Sequence, residues 1–415
     1  MQAKVLIMAR DAGAAAALAP VARSLMSGED ASATIVAYGK AAAVFEAHGL
    51  PALAFPEEPA ASEVASLLHR ERAIALLTGT SMRTERDAAF WAGAAERGVP
   101  SLALLDHWRN YSERFTVERP FDRMPDVIAV MDAAAARECE RRGCPPERLR
   151  VTGHPHLDSL TPATPAERRR ARRELGVEAG RRVVVFASEP LSRHYGRSSA
   201  EPLYLGYAEH ESLAAVRDAL AELDPAALLL VKLHPLEESG TFVDLVDRGG
   251  PEIRVLRAYP PRATIAAADV VTGMTSTFLL EAVLMGAPAL SVRPGGGEEH
   301  FISIHADLIE SVADPDGVTA AVARCLEHRG AAERGSSASD GVEGSATGRV
   351  LQAIADLSVA RGTLGRADAG ALVAAGAGAG GAAALRDRPR ARSDARRSPS
   401  AARPPLETPS YPRTR

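Results

Sequence analysis

The sequence of 415 residues is poor in cysteine and in aromatic residues. Its three cysteines, Cys139, Cys144 and Cys325, are odd in number and scattered along the chain. This pattern argues against a disulfide framework or a zinc site and indicates reduced thiols in a cytosol. Aromatic residues make up only 4% of the chain, so a local cluster of them is informative.

Long apolar segments and common cofactor motifs are missing too. No apolar run is long and charge-free enough to span a membrane. The start, MQAKVLIMARDAG, has one Lys before a short strand-like run, which argues against a signal peptide. The loop after this run lacks the G-x-G-x-x-G pattern of dinucleotide sites. No Asp-x-Asp metal motif stands out at the end of a predicted strand, so we expect no metal site and no obligatory cofactor. The reduced cysteines and the lack of a membrane span or signal peptide predict a cytoplasmic protein.

Charge is distributed unevenly. The last 55 residues carry 11 Arg against four acids, whereas the whole chain has a net charge of −4. The body is therefore acidic and the tail basic, which argues against nucleic acid as the main partner. Two interpretations of the tail remain open. It is either dispensable, which we favour, or a weak basic arm that touches the inner face of an anionic membrane.

Continuous apolar strands that alternate with helices predict an α/β fold with parallel sheets covered on both faces. Hydrophobic residues make up 46% of the chain, enough for two cores. We predict an N-terminal Rossmann-like domain at residues 1–156, a connection at 157–180 and a second Rossmann-like domain at 181–330. Residues 331–415 are rich in Ser, Gly, Ala, Arg and Pro and are predicted to be mostly disordered, with a possible helix near 347–359.

Two passages of the C-terminal half suggest a nucleotide site. The strand LLLVK ends at His234-Pro235, and the strand DVVTG is followed by a hydroxyl-rich turn and an apolar helix. Ligands bind beyond the carboxyl ends of parallel strands, and a helix N-terminus favours phosphate. The candidate donor-binding residues are Ser188, Glu189, His234, Thr275, Ser276, Thr277 and Glu281. The alternative treats Thr275 as a helix cap, Glu281 as a solvated acid and His234 as a packed loop residue.

The N-terminal half offers an acceptor site. Asp11 follows the first strand and Asp106 follows a later one, so either carboxylate could deprotonate an acceptor hydroxyl. We favour Asp11, because small residues surround it, although it could instead cap a helix. The candidate catalytic residues are Asp11, Asp106 and His234. The candidate acceptor-binding residues are Gly13, His107, Trp108, Arg109, Tyr111 and Arg114. The alternative is that Trp108 and Tyr111 anchor their loop on the core.

The His-Pro passage followed by the Ser/Thr passage resembles the C-terminal half of GT-B glycosyltransferases. The branch that it resembles includes CDP-glycerol glycerophosphotransferases, capsule Kdo transferases and bacterial sialyltransferases. UDP-N-acetylglucosamine 2-epimerases are similar more distantly. In these enzymes the histidine and the Ser/Thr pair contact the donor phosphate, and a glutamate on the next helix binds ribose. By position these are His234, Ser276, Thr277 and Glu281.

The resemblance implies a GT-B-like enzyme that transfers a sugar or polyol phosphate. The donor would be linked to CMP, CDP or UDP, and a glycan or polyol hydroxyl of a bacterial surface polymer would accept the group. Two alternatives remain. The chain could be an epimerase acting on a UDP-sugar, or a non-catalytic protein that binds nucleotide-sugars.

Overall fold

Two six-stranded parallel sheets, each with helices packed on it, form the body of the molecule. The computed structural model describes residues 2–28, 30–82, 85–238, 240–246, 249–296, 305, 308–327 and 345–377. All strand pairs assigned within these residues are parallel. The predicted α/β fold class is therefore confirmed.

The N-terminal sheet has the strand order β2-β1-β3-β4-β5-β6. Its strands are β1 (Ala3–Ala9), β2 (Ala31–Ala37), β3 (Ala75–Thr78), β4 (Ser101–Leu104), β5 (Val127–Val130) and β6 (Leu149–Val151). Its helices are α1 (Ala12–Ser27), α2 (Gly39–Ala47), α3 (Ala61–Glu71), α4 (Glu85–Glu96) and α5 (Ala133–Arg141). Strands β3, β4 and β5 are buried at every position, as expected for a parallel sheet covered on both faces.

The connection between the halves contains α6 (Pro155–Asp158) and α7 (Pro165–Glu174). Thr164 caps α7 by accepting a hydrogen bond from the Glu167 backbone N–H, and the Glu167 carboxylate accepts one from the Thr164 N–H. Arg168 and Arg172 of α7 both pair with the buried carboxylate of Asp269, at 2.5 and 3.3 Å. These contacts fix α7 to the C-terminal half.

The C-terminal sheet has the order β12-β11-β10-β7-β8-β9. Its strands are β7 (Val183–Ala187), β8 (Leu228–Lys232), β9 (Glu252–Leu256), β10 (Val270–Gly273), β11 (Ala289–Val292) and β12 (Glu310–Val312). Its helices are α8 (Leu191–Tyr195), α9 (Glu209–Leu223), α10 (Val243–Val246), α11 (Pro261–Ala267), α12 (Thr277–Leu284) and α13 (Val318–Glu327).

Each sheet has one place where consecutive connections leave in opposite directions. In the N-terminal sheet it lies between β1 and β3, and in the C-terminal sheet between β7 and β10. Such switch points open a crevice beyond the carboxyl ends of the strands, where ligands bind in open α/β sheets. The loops at these two crevices contain Asp11 and Ser81 in the first half, and Glu189 and Ser276 in the second.

Two further helices, α14 (Ala346–Ala360) and α15 (Arg366–Ala377), pack on the N-terminal half. The first matches the predicted helix near 347–359, and Asp158 accepts a hydrogen bond from its Ala346 N–H at 2.7 Å. The second contradicts the expectation that, apart from a helix near 347–359, residues 331–415 are mostly disordered over this stretch. Its Leu372 is fully buried, and a Cβ at Gly376 would lie 2.7 Å from the Gly348 Cα.

The Gly and Ala residues of this stretch therefore allow α14 and α15 to approach closely. Residues 328–344 and 378–415, which make up the rest of the predicted tail, lie outside the described residues. Among the helices that are described, none is both long and apolar enough to cross a bilayer.

Candidate active site

The predicted donor and acceptor residues meet where the two halves touch. The Arg109 guanidinium, which follows β4, donates a hydrogen bond to the Thr275 hydroxyl at 3.3 Å. His156 Nε2, on α6, lies 3.4 Å from the Glu281 carboxylate on α12. Loops at the carboxyl edges of the two sheets therefore contact each other here.

Asp11 lies between β1 and α1, with an extended backbone (φ −91°, ψ 151°) at the N-cap position. Its carboxylate forms a hydrogen bond with the Ser81 side chain, which follows β3 across the switch point. Burial raises the pKa of Asp11 above its usual 3.8, and the neighbouring Asp106 adds to this rise, while Arg10 and Arg114 oppose it. A carboxylate with a raised pKa is a better proton acceptor than an ordinary aspartate.

Asp106, the other candidate base, is held by a strong partner. Its carboxylate pairs with Arg114 at 2.7 Å, and Arg114 also donates to the Thr80 hydroxyl at 2.8 Å. Arg114 therefore neutralises an acid of its own loop, so its predicted role in binding an anionic acceptor is not supported. Gly13 is needed for the same packing, because a Cβ there would lie 2.5 Å from Asp106 Oδ2.

The aromatic side chains of the loop after β4 anchor it on the core. Trp108 and Tyr111 are only 3% and 1% exposed, and Trp108 donates its indole N–H to Asp132 at 2.6 Å. Their burial contradicts the predicted role of these two residues in binding the acceptor, and the alternative, in which they anchor the loop on the core, agrees with the structure. Burial also lowers the pKa of His107 to about 3, so its imidazole is neutral.

Glu189 and Thr275 form a bridge across the C-terminal switch point. The Thr275 N–H and hydroxyl both donate to the Glu189 carboxylate, at 2.7 and 2.9 Å. Because both of its donors are engaged, Thr275 positions the turn, and phosphate contact stays a prediction for Ser276 and Thr277. Ser276, and not Thr275, caps α12, where its hydroxyl accepts from the Phe278 N–H at 3.3 Å.

His234 is positioned by an acid that the sequence interpretation missed. The Glu237 carboxylate accepts from the His234 backbone N–H at 2.7 Å and from the Ser188 hydroxyl at 2.6 Å. Ser188 is buried and serves this network, so it does not face the site as predicted. The signal was an acid three positions after His234, a spacing that suits a turn in which a side chain bonds the backbone.

The charge state of His234 follows from its surroundings. Burial, together with the charges of the nearby Lys40, His194 and Lys232 side chains, lowers its pKa to about 4. Its Nδ1 accepts a hydrogen bond from the Leu236 N–H at 3.2 Å, which assigns the ring proton to Nε2. His234 is therefore a neutral imidazole whose Nε2–H can donate to an anion.

Two lysines that the sequence interpretation did not single out lie close to this histidine. Lys232 is the last residue of β8, and burial lowers its pKa while Glu281 opposes the change. Lys40 is in the first turn of α2, in the other half, and burial together with Arg257 lowers its pKa. Each follows or ends a strand at the carboxyl edge, a position that could have identified it. Together they make the surroundings of His234 electropositive.

Glu281, the predicted ribose ligand, is largely buried on α12 and lies beside His156. Within the described part of the chain, no three His, Cys, Asp or Glu side chains are grouped so as to hold a metal ion.

Comparisons with known proteins fit this geometry. Residues 136–248 match the family described as CDP-Glycerol:Poly(glycerophosphate) glycerophosphotransferase. The matched stretch includes the His234-Pro235 turn and ends before Thr275. No curated protein matches the chain significantly.

Solved structures with the same fold cover most of the chain. A putative UDP-N-acetylglucosamine 2-epimerase from Listeria monocytogenes aligns with a TM-score of 0.62 and 16% identity, over 85% of this chain and 96% of its own. The UDP-GlcNAc 2-epimerase from Neisseria meningitidis, bound to UDP-GlcNAc, gives 0.56 and 14%, over 78% and 92%.

A third structure, Anabaena HepE in complex with UDP-glucose, gives a TM-score of 0.53 and 15% identity, over 78% of this chain and 90% of its own. At such low identity these likenesses establish the fold alone. The predicted resemblance is thus confirmed: the chain has a GT-B-like fold, with a match to the glycerophosphotransferase family in its middle.

Proposed function

We propose that this protein transfers a sugar or polyol phosphate from a nucleotide-activated donor to a hydroxyl acceptor. The observation that carries the proposal is a pair of opposed chemistries at one site. A carboxylate with a raised pKa, Asp11, borders the N-terminal crevice, and a neutral imidazole donor, His234, borders the C-terminal one. Group transfer to a hydroxyl needs both, a base for the acceptor and a donor for the leaving phosphate.

On the donor side, the departing nucleotide develops negative charge on a phosphate oxygen. His234 Nε2–H, the Ser276 and Thr277 hydroxyls and the N-terminus of α12 offer hydrogen-bond donors to it. Lys232 and Lys40 add positive charge near His234. Glu281 accepts from the ribose hydroxyls. No metal ion or organic cofactor takes part in the proposed reaction.

On the acceptor side, Asp11 takes the hydroxyl proton. The acceptor oxygen forms the new bond to the sugar carbon or the polyol phosphorus. The bond from that atom to the bridging oxygen breaks, and its electron pair leaves with the nucleotide. Asp106 is paired with Arg114 and so keeps its charge balanced, which makes it the weaker candidate base.

The family match supports the transferase class because it includes His234. Synthesis of a bacterial surface glycan, in the cytoplasm or at the inner face of the membrane, is the role that we assign to such a transferase. The binding of UDP-glucose by Anabaena HepE supports a nucleotide-sugar as the donor type.

A second candidate function is that of a UDP-sugar 2-epimerase, because two of the structures with the same fold are described as UDP-GlcNAc 2-epimerases. An epimerase would eliminate nucleotide and add it back on the same sugar, with no acceptor. A non-catalytic nucleotide-sugar-binding protein would need neither Asp11 nor an acceptor.

One experiment separates the three. The full chain is incubated with radiolabelled CMP-, CDP- and UDP-linked sugars and with CDP-glycerol, each with and without glycan or glycerophosphate acceptors. Transfer requires an acceptor and releases nucleotide. Epimerisation occurs without acceptor, and a binding protein gives a saturable calorimetric signal with neither product. A thermal-shift screen against free nucleotides identifies the base beforehand, because a ligand of the folded state raises apparent stability.

A further inference from the structure

One buried acid next to the site has no role in the reaction as described so far. Asp87, in the first turn of α4, is only 1% exposed. Burying a carboxyl group costs free energy unless the group is hydrogen-bonded or neutral, so a buried Asp87 must be stabilised by its neighbours. Its Oδ2 accepts a hydrogen bond from the Ser81 backbone N–H at 2.8 Å, and its Oδ1 is buried with no partner among the described residues.

Ser81 connects this acid to the proposed base. It is buried, it follows β3 at the switch point, and its side chain bonds the Asp11 carboxylate. Asp87 thus fixes the backbone of the residue whose hydroxyl holds Asp11. The preceding residue, Thr80, has the parallel task for the other acid, because Arg114 links it to Asp106. Two adjacent residues of one loop therefore hold the two candidate bases.

We propose that Asp87 is a positioning residue for Asp11, acting through Ser81, and that it fixes both the place and the proton affinity of the base. This rests on the proposed function, in which Asp11 takes the acceptor proton.

The charges around both carboxyl groups agree with this arrangement. Four groups act on the Asp87 carboxyl. Ser81 follows β3, Arg10 and Asp11 follow β1, and Arg86 precedes Asp87 on the same helix. Asp11 faces Arg10, Asp106, Arg114 and Ser81. Burial raises the pKa of Asp87 to about 7, and Asp11 contributes to that rise. Below about pH 7 a protonated Asp87 leaves Asp11 as the ionised member of the pair.

The test follows the Asp11 carboxyl carbon by NMR in the full chain labelled with [13C]aspartate, assigned by its loss in Asp11→Asn. Ser81→Ala removes the hydroxyl that favours ionised Asp11, so the Asp11 midpoint should rise by on the order of 0.5–1 pH unit. Asp87→Leu is close to isosteric but cannot accept the hydrogen bond from the Ser81 N–H, so it should also raise the titration midpoint of Asp11. Asp87→Asn keeps an acceptor oxygen and should stay near wild type.

The double variant of Ser81→Ala and Asp87→Leu should shift the midpoint no further than Ser81→Ala alone, because both changes break one chain of contacts. An unchanged midpoint in Ser81→Ala, or in a folded Asp87→Leu, overturns the proposal. If Asp87→Leu does not fold, the wild type decides: the Asp11 resonance must show a second inflection at the Asp87 midpoint, and a single inflection overturns the proposal.

The NMR readout needs neither donor nor acceptor, so it stands apart from the proposed function. If the wild type transfers no group to any acceptor, the proposed function fails while the titration can still hold. Where transfer is measured, Asp87→Leu should lower kcat with little change in donor affinity, and Asp87→Asn should restore most of it.

Discussion

The two switch points of this molecule have the same architecture and opposite chemistry. The crevice between β1 and β3 is bordered by carboxylates, with Asp11 at its edge and Asp87 behind it. The crevice between β7 and β10 contains one carboxylate, Glu189, which is engaged by Thr275, and is otherwise bordered by donors and cations, with the Ser276 cap of α12 and, at the end of β8, Lys232 and His234. Both sheets are parallel and six-stranded, so the difference lies in the loops. The fold supplies two equivalent crevices, and in the proposed reaction a few loop residues place the base at one and the leaving group at the other.

The largest effect is expected from the acidic crevice. Asp11→Asn removes the proton acceptor and should lower transfer about 10²–10⁴-fold while donor binding is unchanged. Asp106→Asn, the matched comparison, should cost less in the chemical step, because Asp106 acts as the partner of Arg114. In the wild type the rate should rise with pH through the raised pKa of Asp11, since only the ionised form accepts a proton. Steady-state rates over pH for the three proteins check this. If Asp106→Asn loses more of the transfer rate than Asp11→Asn, Asp106 is the base and Asp11 is not.

The electropositive crevice should give the next largest effect. His234→Ala removes the Nε2–H donor and should lower kcat about 10²–10³-fold, with only a small change in donor affinity, because the bond strengthens as leaving-group charge develops. His69→Ala, an exposed histidine of α3, is the control. Single-turnover rates and calorimetric donor binding separate the two quantities. If donor affinity and single-turnover rate fall by the same factor, His234 only binds the donor and does not stabilise the leaving group.

The hydroxyls at the start of α12 should have a smaller effect, on binding. Ser276→Ala combined with Thr277→Val removes two donors to phosphate and should weaken nucleotide binding roughly 10–100-fold, as expected for hydrogen bonds to a charged group. The fold should survive, because helix capping contributes only about 1 kcal/mol. Ser198→Ala with Ser199→Ala, an exposed pair, is the control. Calorimetry measures the nucleotide affinities. If both double variants bind nucleotide equally well, the donor site does not lie at this crevice.

The sequence predicted the fold and the crevices better than the contacts within them. Apolar strands alternating with helices predict parallel sheets, and motifs at strand ends predict the edge at which a ligand would bind, since both depend on local pattern. The contacts of Trp108 and Arg114 depend on how the chain folds in space. Trp108 bonds Asp132, which follows the neighbouring strand, and Arg114 folds back onto Asp106 of its own loop. At α15 the composition predicted disorder, which is wrong, because its Gly and Ala residues allow close packing against α14.

The smallest effect concerns the stability of the acidic crevice. Since burial raises the pKa of Asp87 to about 7, the folded protein holds this proton more tightly than the unfolded chain. Below about pH 4 Asp87 is protonated in both states, so wild type and Asp87→Asn should be equally stable. As pH rises toward about 7, only the unfolded chain releases the proton, and the wild type loses stability that Asp87→Asn keeps. The shift in the pKa of Asp87 limits the stability advantage of Asp87→Asn over the wild type to about 4 kcal/mol. Relaxation around the ionised carboxylate should reduce this advantage to about 1 kcal/mol. Denaturant unfolding at acid, neutral and alkaline pH measures it, with the exposed Asp356→Asn as control. An advantage for Asp87→Asn that is the same at every pH would mean that Asp87 does not keep its proton in the folded state.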